Sequence, residues 1–306
     1  MPLLEERGRS HERDEQRNAF QMRFGRVRAI CSPTPRLRRL ESIVETGRGD
    51  VPRRAPGRRQ GVRYDRGVPV KRPRKPSPVV VEKVMRSLAV AITGLELPAV
   101  EKISEEQAED PFQILIATLL SARTQDATTH AASTRLFHKA RTPRTMARLT
   151  VKEIEKLIYP VSFYRTKARH VKACCQMLLD RFGGRVPSTL EELVMLPGVG
   201  RKTGNLVMVL GFKSLRNICV DTHVHRISNR LGWVATKLPD ETEQALYRAT
   251  DARWWPYINL YLVTWGQNVC RPIGPRCGDC VIATECPRIG VHRVQGVQGV
   301  LRRSEK

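Results

Sequence analysis

From about residue 79 to residue 290 this chain contains no convincing run in which apolar and polar residues alternate with period two. A half-buried strand needs that alternation, because successive side chains point to opposite faces of a sheet. Helical spacing with start and stop signals fills the region instead. Asp110-Pro111 opens "FQILIATLL", a run too apolar for a surface helix. Thr150 with Glu153 forms a capping box ahead of "VKEIEKLIY", and Ser188 with Glu191 suggests a second ahead of "LEELVML". "RTKARHVKACCQMLLDRFGG" reads as an amphipathic helix ended by glycine. Asp240 and Glu243 are expected to cap "ETEQALYRAT", and "YINLYLVTWGQNVC" reads as one more buried helix. With no internal repeat to suggest a solenoid, the expectation is an all-α protein.

Charge narrows the class of partner. The 306 residues hold 54 Lys+Arg against 30 Asp+Glu, a net charge of +24. That surplus points to a polyanion, nucleic acid ahead of an anionic membrane surface. Residues 1–78 hold 21 Lys/Arg, 9 Asp/Glu, nine prolines and no tryptophan. Such a segment buries too little apolar surface to offset its ordering entropy, so a disordered basic arm is expected there. A translation start nearer Met22 or Met85 is the competing explanation. Neither a secretory apolar core nor a run approaching the roughly 20 residues of a membrane span is visible. A soluble, intracellular protein is expected.

"LPGVGRKTG", residues 196–204, joins two expected helices, 189–196 and 201–211. Gly198 and Gly200 permit positive φ and leave the backbone bare around Val199. The N–H groups at the start of the second helix, beside Arg201 and Lys202, then meet an anion with the positive end of the helix dipole. Such a hairpin holds phosphates and reads no bases. A turn that needs glycine only to reverse direction gives the same string.

Eight cysteines are present, and the last four, Cys270, Cys277, Cys280 and Cys286, follow a C-x6-C-x2-C-x5-C spacing in a Pro/Gly-rich loop. Thiols this dense in an intracellular chain suggest a metal centre. Zinc commonly uses two short pairs, whereas one pair with uneven flanks suits a single [4Fe-4S] cluster. Cys174, Cys175 and Cys219 look like small buried residues on helices.

The hairpin, then "VDTHVHRISNRLGW", then the cysteine loop, in that order, resemble endonuclease III of the helix-hairpin-helix DNA glycosylase superfamily. The likeness spans roughly 80–290. It implies two helical lobes with a DNA site in the cleft between them. A six-helix barrel with the hairpin corresponds to 104–214, and a cluster-bearing lobe corresponds to 79–103 with 215–290. Residues 291–306 are left as a tail. The implied activity is that of a bifunctional DNA glycosylase and AP lyase of base excision repair, a monomer working on double-stranded DNA.

The residues support the chemistry. A glycosylase must reach C1′, so it flips the damaged nucleotide out of the duplex. Lys202 stands beside the hairpin as the nucleophile, with its amine deprotonated by desolvation and the helix's positive end. Asp221, an expected N-cap, matches the family's aspartate that stabilises positive charge on the sugar. Ser121, Asp126 and His223 match pocket-lining positions, although His223 fits a structural role equally well. Arg123 stands where the family often inserts glutamine into the space left by the flipped base. Phe163 is the expected apolar wedge, with Ser162 where glycine is usual. Arg271 and Arg276 are the basic residues of the cysteine loop. Adenine or mismatch glycosylases of the superfamily generally lack the lysine, and a non-catalytic iron–sulfur redox sensor needs neither Lys202 nor Asp221.

Overall fold

The computed structural model describes residues 76–108 and 110–291. The arm expected over 1–78 lies outside the described residues up to position 75, as does the tail from 292. The described residues form twelve α-helices, two short 3-10 turns and no strand. In chain order the helices are α1 (Pro78–Ala91), α2 (Ala99–Glu106), α3 (Pro111–Ser121), α4 (Asp126–Lys139), α5 (Pro143–Arg148) and α6 (Val151–Ile158). They continue with α7 (Tyr164–Phe182), α8 (Leu190–Leu193), α9 (Arg201–Gly211), α10 (Thr222–Arg230), α11 (Pro239–Ala249) and α12 (Trp255–Asn268).

The apolar run of α3 is explained by its place. Every residue from Phe112 to Leu120 is buried, because α2, α4, α7 and α9 all pack against this helix. A helix with no exposed face has no use for a polar stripe. Its start is the expected one: Asp110 Oδ1 accepts the N–H of Gln113 at 2.8 Å, and Pro111 occupies the first turn. Likewise α12 buries Pro256 through Gly266 and packs on α10 and α1. No helix among the described residues is long and apolar enough to cross a membrane.

The capping box of α6 is present, with Thr150 Oγ1 accepting from Glu153 N and Glu153 Oε2 accepting from Thr150 N. Helix α7 ends at Gly183 in the left-handed region (φ 59°), and the N–H of Gly184 returns to Leu178 O at 2.8 Å. Three expectations are corrected. The cap of α8 is Thr189 with Glu192, one residue later than Ser188 with Glu191, and the helix is a single turn. That register turns Leu193 and Leu196 into the core. At α11 the helix starts at Pro239, and Glu241 accepts the N–H groups of Lys237 and Leu238; Asp240 and Glu243 do not cap it. Cys174 and Cys175 are buried on α7 as expected, whereas Cys219 is buried in an extended segment.

Candidate active site and cysteine-lined cavity

The hairpin between α8 and α9 uses its two glycines differently. Gly198 takes a φ of +82°, and a Cβ there would come within 2.7 Å of the His170 ring on α7. Gly200 has an ordinary φ of −93°, so the expected left-handed backbone is found at only one of the pair. A Cβ on Gly200 would meet nothing within 4 Å. The fold does not demand glycine at position 200; what benefits is the open backbone at the start of α9. The first-turn N–H groups of a helix have no intrahelical acceptor, and here no side chain caps them.

One residue into α9, Lys202 lines a cleft of about 920 Å³ together with Ser121, Arg123, Asp126, Asp221 and His223. The structure therefore brings both residues with expected chemical roles, and all three expected pocket residues, to one space. The Lys202 amine makes no hydrogen bond or ion pair among the described residues. Asp221 caps α10 as expected: its Oδ1 accepts the N–H groups of His223 and Val224, both at 2.8 Å. Its second carboxylate oxygen has no partner among the described residues. Beneath both lies the Cys219 thiol, which donates to Lys202 O at 3.5 Å and which burial pushes up to about 12. It is an inert spacer.

The other lining residues are held more tightly. Ser121 Oγ donates to Thr118 O on its own helix at 2.9 Å. Asp126 Oδ2 accepts from Ala99 N (3.2 Å) and from the Gln267 side-chain amide (3.0 Å). His223 Nδ1 lies 3.1 Å from Arg226 Nη2, and burial holds its pKa below the usual imidazole range. The ring packs against Gly266 and lines the cleft.

At the cleft's rim, Arg123 and Phe163 both adopt left-handed backbone, φ 56° and 57°. Each costs roughly 1–3 kcal/mol for a residue with a Cβ, so the surroundings must hold them. The Arg123 guanidinium lies 5.3 Å from the Phe163 ring centroid, and the ring is 60% exposed. Arg201 has a different engagement. Its guanidinium forms a two-pronged pair with Glu243 of α11, at 2.9 and 2.8 Å, and the carboxylate is only 3% exposed. The backbone of Arg201 remains at the hairpin, but its side chain ties α9 to α11.

Cys270, Cys277, Cys280 and Cys286 line one cavity beyond the end of α12, with Trp265 and Arg230 in its wall. Among the described residues, no three His, Cys, Asp or Glu side chains stand close enough to hold a single metal ion. The sulfurs border a common space. Burial raises Cys277, Cys280 and Cys286, the last to about 11, so as thiolates they need a cationic centre. The buried Arg230 donates to Cys270 Sγ (3.3 Å), Arg271 O (2.7 Å) and Pro272 O (2.8 Å), stapling the loop. Arg271 is exposed, and Arg276 donates to Asn268 O at 2.6 Å.

Residues 116–251 match the family described as HhH-GPD superfamily base excision DNA repair protein. The chain is 44% identical over 197 residues to endonuclease III of Thermotoga maritima, covering 64% of this chain and 91% of that one. The chain belongs to the endonuclease III family. Its similarity extends to eukaryotic members, with 41% identity over 178 residues to endonuclease III-like protein 1 of Gallus gallus, covering 58% of this chain and 63% of the relative. Among solved structures, a non-covalent endonuclease III–DNA complex covers 69% of this chain and 96% of its own, at 31% identity and a TM-score of 0.61. A trapped endonuclease III–DNA covalent intermediate, described as an estranged-adenine complex, matches with the same figures.

Proposed function

We propose that this endonuclease III family member excises oxidised pyrimidines from double-stranded DNA and cuts the strand at the resulting abasic site, with Lys202 as nucleophile and Asp221 as its partner. Membership of the family makes the protein a DNA glycosylase of base excision repair. One observation supports the finer reading: an amine and a carboxylate oxygen, both without partners among the described residues, line the same cleft beside a hairpin with a bare backbone. A relative trapped as a covalent intermediate with DNA supports it.

In this reading the nucleotide is turned into the cleft, and the Lys202 amine attacks C1′ as the bond to the base breaks. The free oxygen of Asp221 faces the positive charge that develops on the sugar, and Asp221 assists proton transfer. The C1′–O4′ bond then opens, O4′ takes up a proton, and the nitrogen and C1′ are left joined as a Schiff base. Loss of a proton from C2′ expels the 3′ phosphate by β-elimination and cuts the strand. The adenine and mismatch glycosylases lack such a lysine as a rule, and a DNA-binding redox sensor requires no free amine.

The hairpin grips phosphate through the N–H groups ahead of Lys202, and its two glycines separate fold from grip. Gly198→Ala forces left-handed backbone and a clash with His170, so stability falls by roughly 1–3 kcal/mol. Gly200→Ala leaves the melting temperature unchanged, because its φ is ordinary and the space is empty. It weakens affinity for abasic DNA by obstructing the approaching backbone. Equal DNA affinity in Gly200→Ala and the parent would remove phosphate contact from this reading.

Cys270, Cys277, Cys280 and Cys286 hold a [4Fe-4S] cluster, supported by their shared cavity and by the spacing. When bound, the cluster serves to fix the fold of the loop. Arg230 keeps the loop shaped, and Arg271 extends from it toward the polyanion. Anaerobically purified protein is expected to be brown with about four irons per chain, and Cys277→Ser to lose solubility and DNA affinity. Stoichiometric zinc without iron would contradict this assignment.

The division into two lobes belongs to the same proposal. The packing of α3 with α4, α7 and α9, and of α12 with α1 and α10, supports it. Helix α2 spans the expected boundary at 103/104 and packs on α3, α4 and α9, which supports drawing the division in the 92–98 segment. Strand nicking on an abasic duplex, followed by a panel of oxidised pyrimidines, uracil and mismatches, tests the activity and its substrate class. Absence of nicking by iron-loaded protein would defeat the lyase assignment.

A further inference from the structure

We propose that Lys167 of α7 is a positioning residue that locks Arg123 and Phe163 into one preassembled wedge at the cleft rim. Lys167 is buried, and the chemistry assigned to Lys202 and Asp221 makes no use of it. Its Nζ donates to Leu120 O (2.8 Å), Ala122 O (2.6 Å) and Thr124 Oγ1 (3.0 Å). Those acceptors surround Arg123, whose own backbone is left-handed. Three oxygens match the three N–H groups of an ammonium, so the turn after α3 is held by a single side chain although burial lowers that amine to about 8. The main chain of the same residue holds the other half of the wedge: Lys167 N donates to Phe163 O at 3.0 Å.

That main-chain bond is the first of α7 and forms with any helical residue at 167, so the side chain's own contribution is to hold the Arg123 half of the pair against a Phe163 that the helix start fixes. The segment ahead of Phe163 is secured independently, because Arg135 donates to Leu157 O at 2.9 Å and to Tyr159 O at 2.5 Å. The guanidinium of Arg123 makes no hydrogen bond or ion pair among the described residues, so its five donors stay available while its face rests on the ring. A wedge ordered before DNA arrives loses little freedom when it enters the base stack. In the absence of the side-chain clamp, Arg123 relaxes out of the left-handed region and leaves the Phe163 ring.

The inference rests on the lyase reading above, and the experiment keeps the two apart. A wedge matters where a paired base must be displaced, and is idle on a single strand. Lys167→Met keeps the length and removes the donors. Cleavage of a duplex with a paired oxidised pyrimidine is expected to fall by roughly tenfold or more, while nicking of an abasic site in single-stranded DNA stays within about twofold of the parent. Phe163→Ala added to Lys167→Met causes no further loss on the duplex, since both remove the same device. A second clamp on α7 serves as control: Lys172 donates to Ala147 O and Leu149 O, away from the cleft. Lys172→Met lowers stability without changing the ratio of duplex to single-strand activity. If Lys167→Met does not fold, Thr124→Val, which removes one acceptor from the half-buried turn, shifts that ratio in the same direction. Equal losses on both DNAs in a folded variant, or an unchanged ratio in every variant, would overturn the proposal. Failure of the parent protein to nick an abasic duplex would count against Lys202 instead.

Discussion

Lys202→Gln is expected to bind abasic-site DNA as tightly as the parent and to nick it slower by roughly 10³-fold or more, the scale of losing a nucleophile. Glutamine keeps most of the side chain's length. The hairpin's open N–H groups and the Gly198 turn lie in the backbone and are untouched. Affinity measured at fixed salt, because phosphate contacts are salt-dependent, and single-turnover nicking separate the two effects. Loss of binding and nicking together would assign Lys202 to phosphate contact. Asp221→Asn keeps the shape and the cap acceptor, so it should bind normally and turn over slowly. Its residual rate reports what the carboxylate charge contributes.

The largest expected stability effect lies one residue earlier. Arg201→Ala strands the Glu243 carboxylate, 3% exposed, without its guanidinium. Leaving a buried charge uncompensated costs about 3 kcal/mol, the low end for such pairs because Arg201 itself is partly exposed. A fall in Tm of roughly 6–12 °C follows for a domain of this size. Glu243→Gln is milder, and the double variant Arg201→Ala/Glu243→Gln recovers part of the loss, since no charge is then stranded. A double-mutant cycle by thermal unfolding reads this directly. Strictly additive costs would show that the pair is not coupled. Because α9 begins at Arg201, the same variants should slow nicking through Lys202 even where they fold.

The chain's helices were legible because their signals are local. Asp110-Pro111, the Thr150–Glu153 box and the terminal glycine at 183 act within one turn of backbone, and each does what its sequence suggests. The failures share a cause. Ser188 against Thr189, and Asp240 against Glu241, are choices among adjacent capping residues that tertiary packing decides. Leu193 and Leu196 had to face the core, and Glu243 had to face Arg201. Gly200 read as both a conformational and an open glycine; its φ is ordinary, so of the two readings only the openness is left to it.

The candidate site divides in the same way. Lys202, Asp221 and the last four cysteines stand in compact motifs, so the sequence could offer them as candidates, the first two through the resemblance and the cysteines through their spacing. Arg230 and Lys167 did not stand out, and Glu243 was read as a helix cap. Each is a charged residue on a helix, and a charged helical residue normally signals a solvated face. Their partners lie far along the chain: Arg230 on the carbonyls of 271 and 272, Glu243 on Arg201, Lys167 on the turn at 120–124. Only the folded chain brings those carbonyls and charges together. The Arg123–Phe163 stack was half visible, as two exposed positions of matching role, but the left-handed backbone beneath it was not.

The central claim is that Lys202 bonds covalently to the DNA sugar. Incubating the iron-loaded protein with abasic duplex and borohydride reduces the Schiff base to a stable amine, and digestion followed by mass spectrometry locates it. The account predicts a single sugar adduct on the peptide containing "GRKTG", at Lys202, and no adduct in Lys202→Gln. An adduct on any other lysine, or trapping of Lys202→Gln at the parent rate, would contradict it.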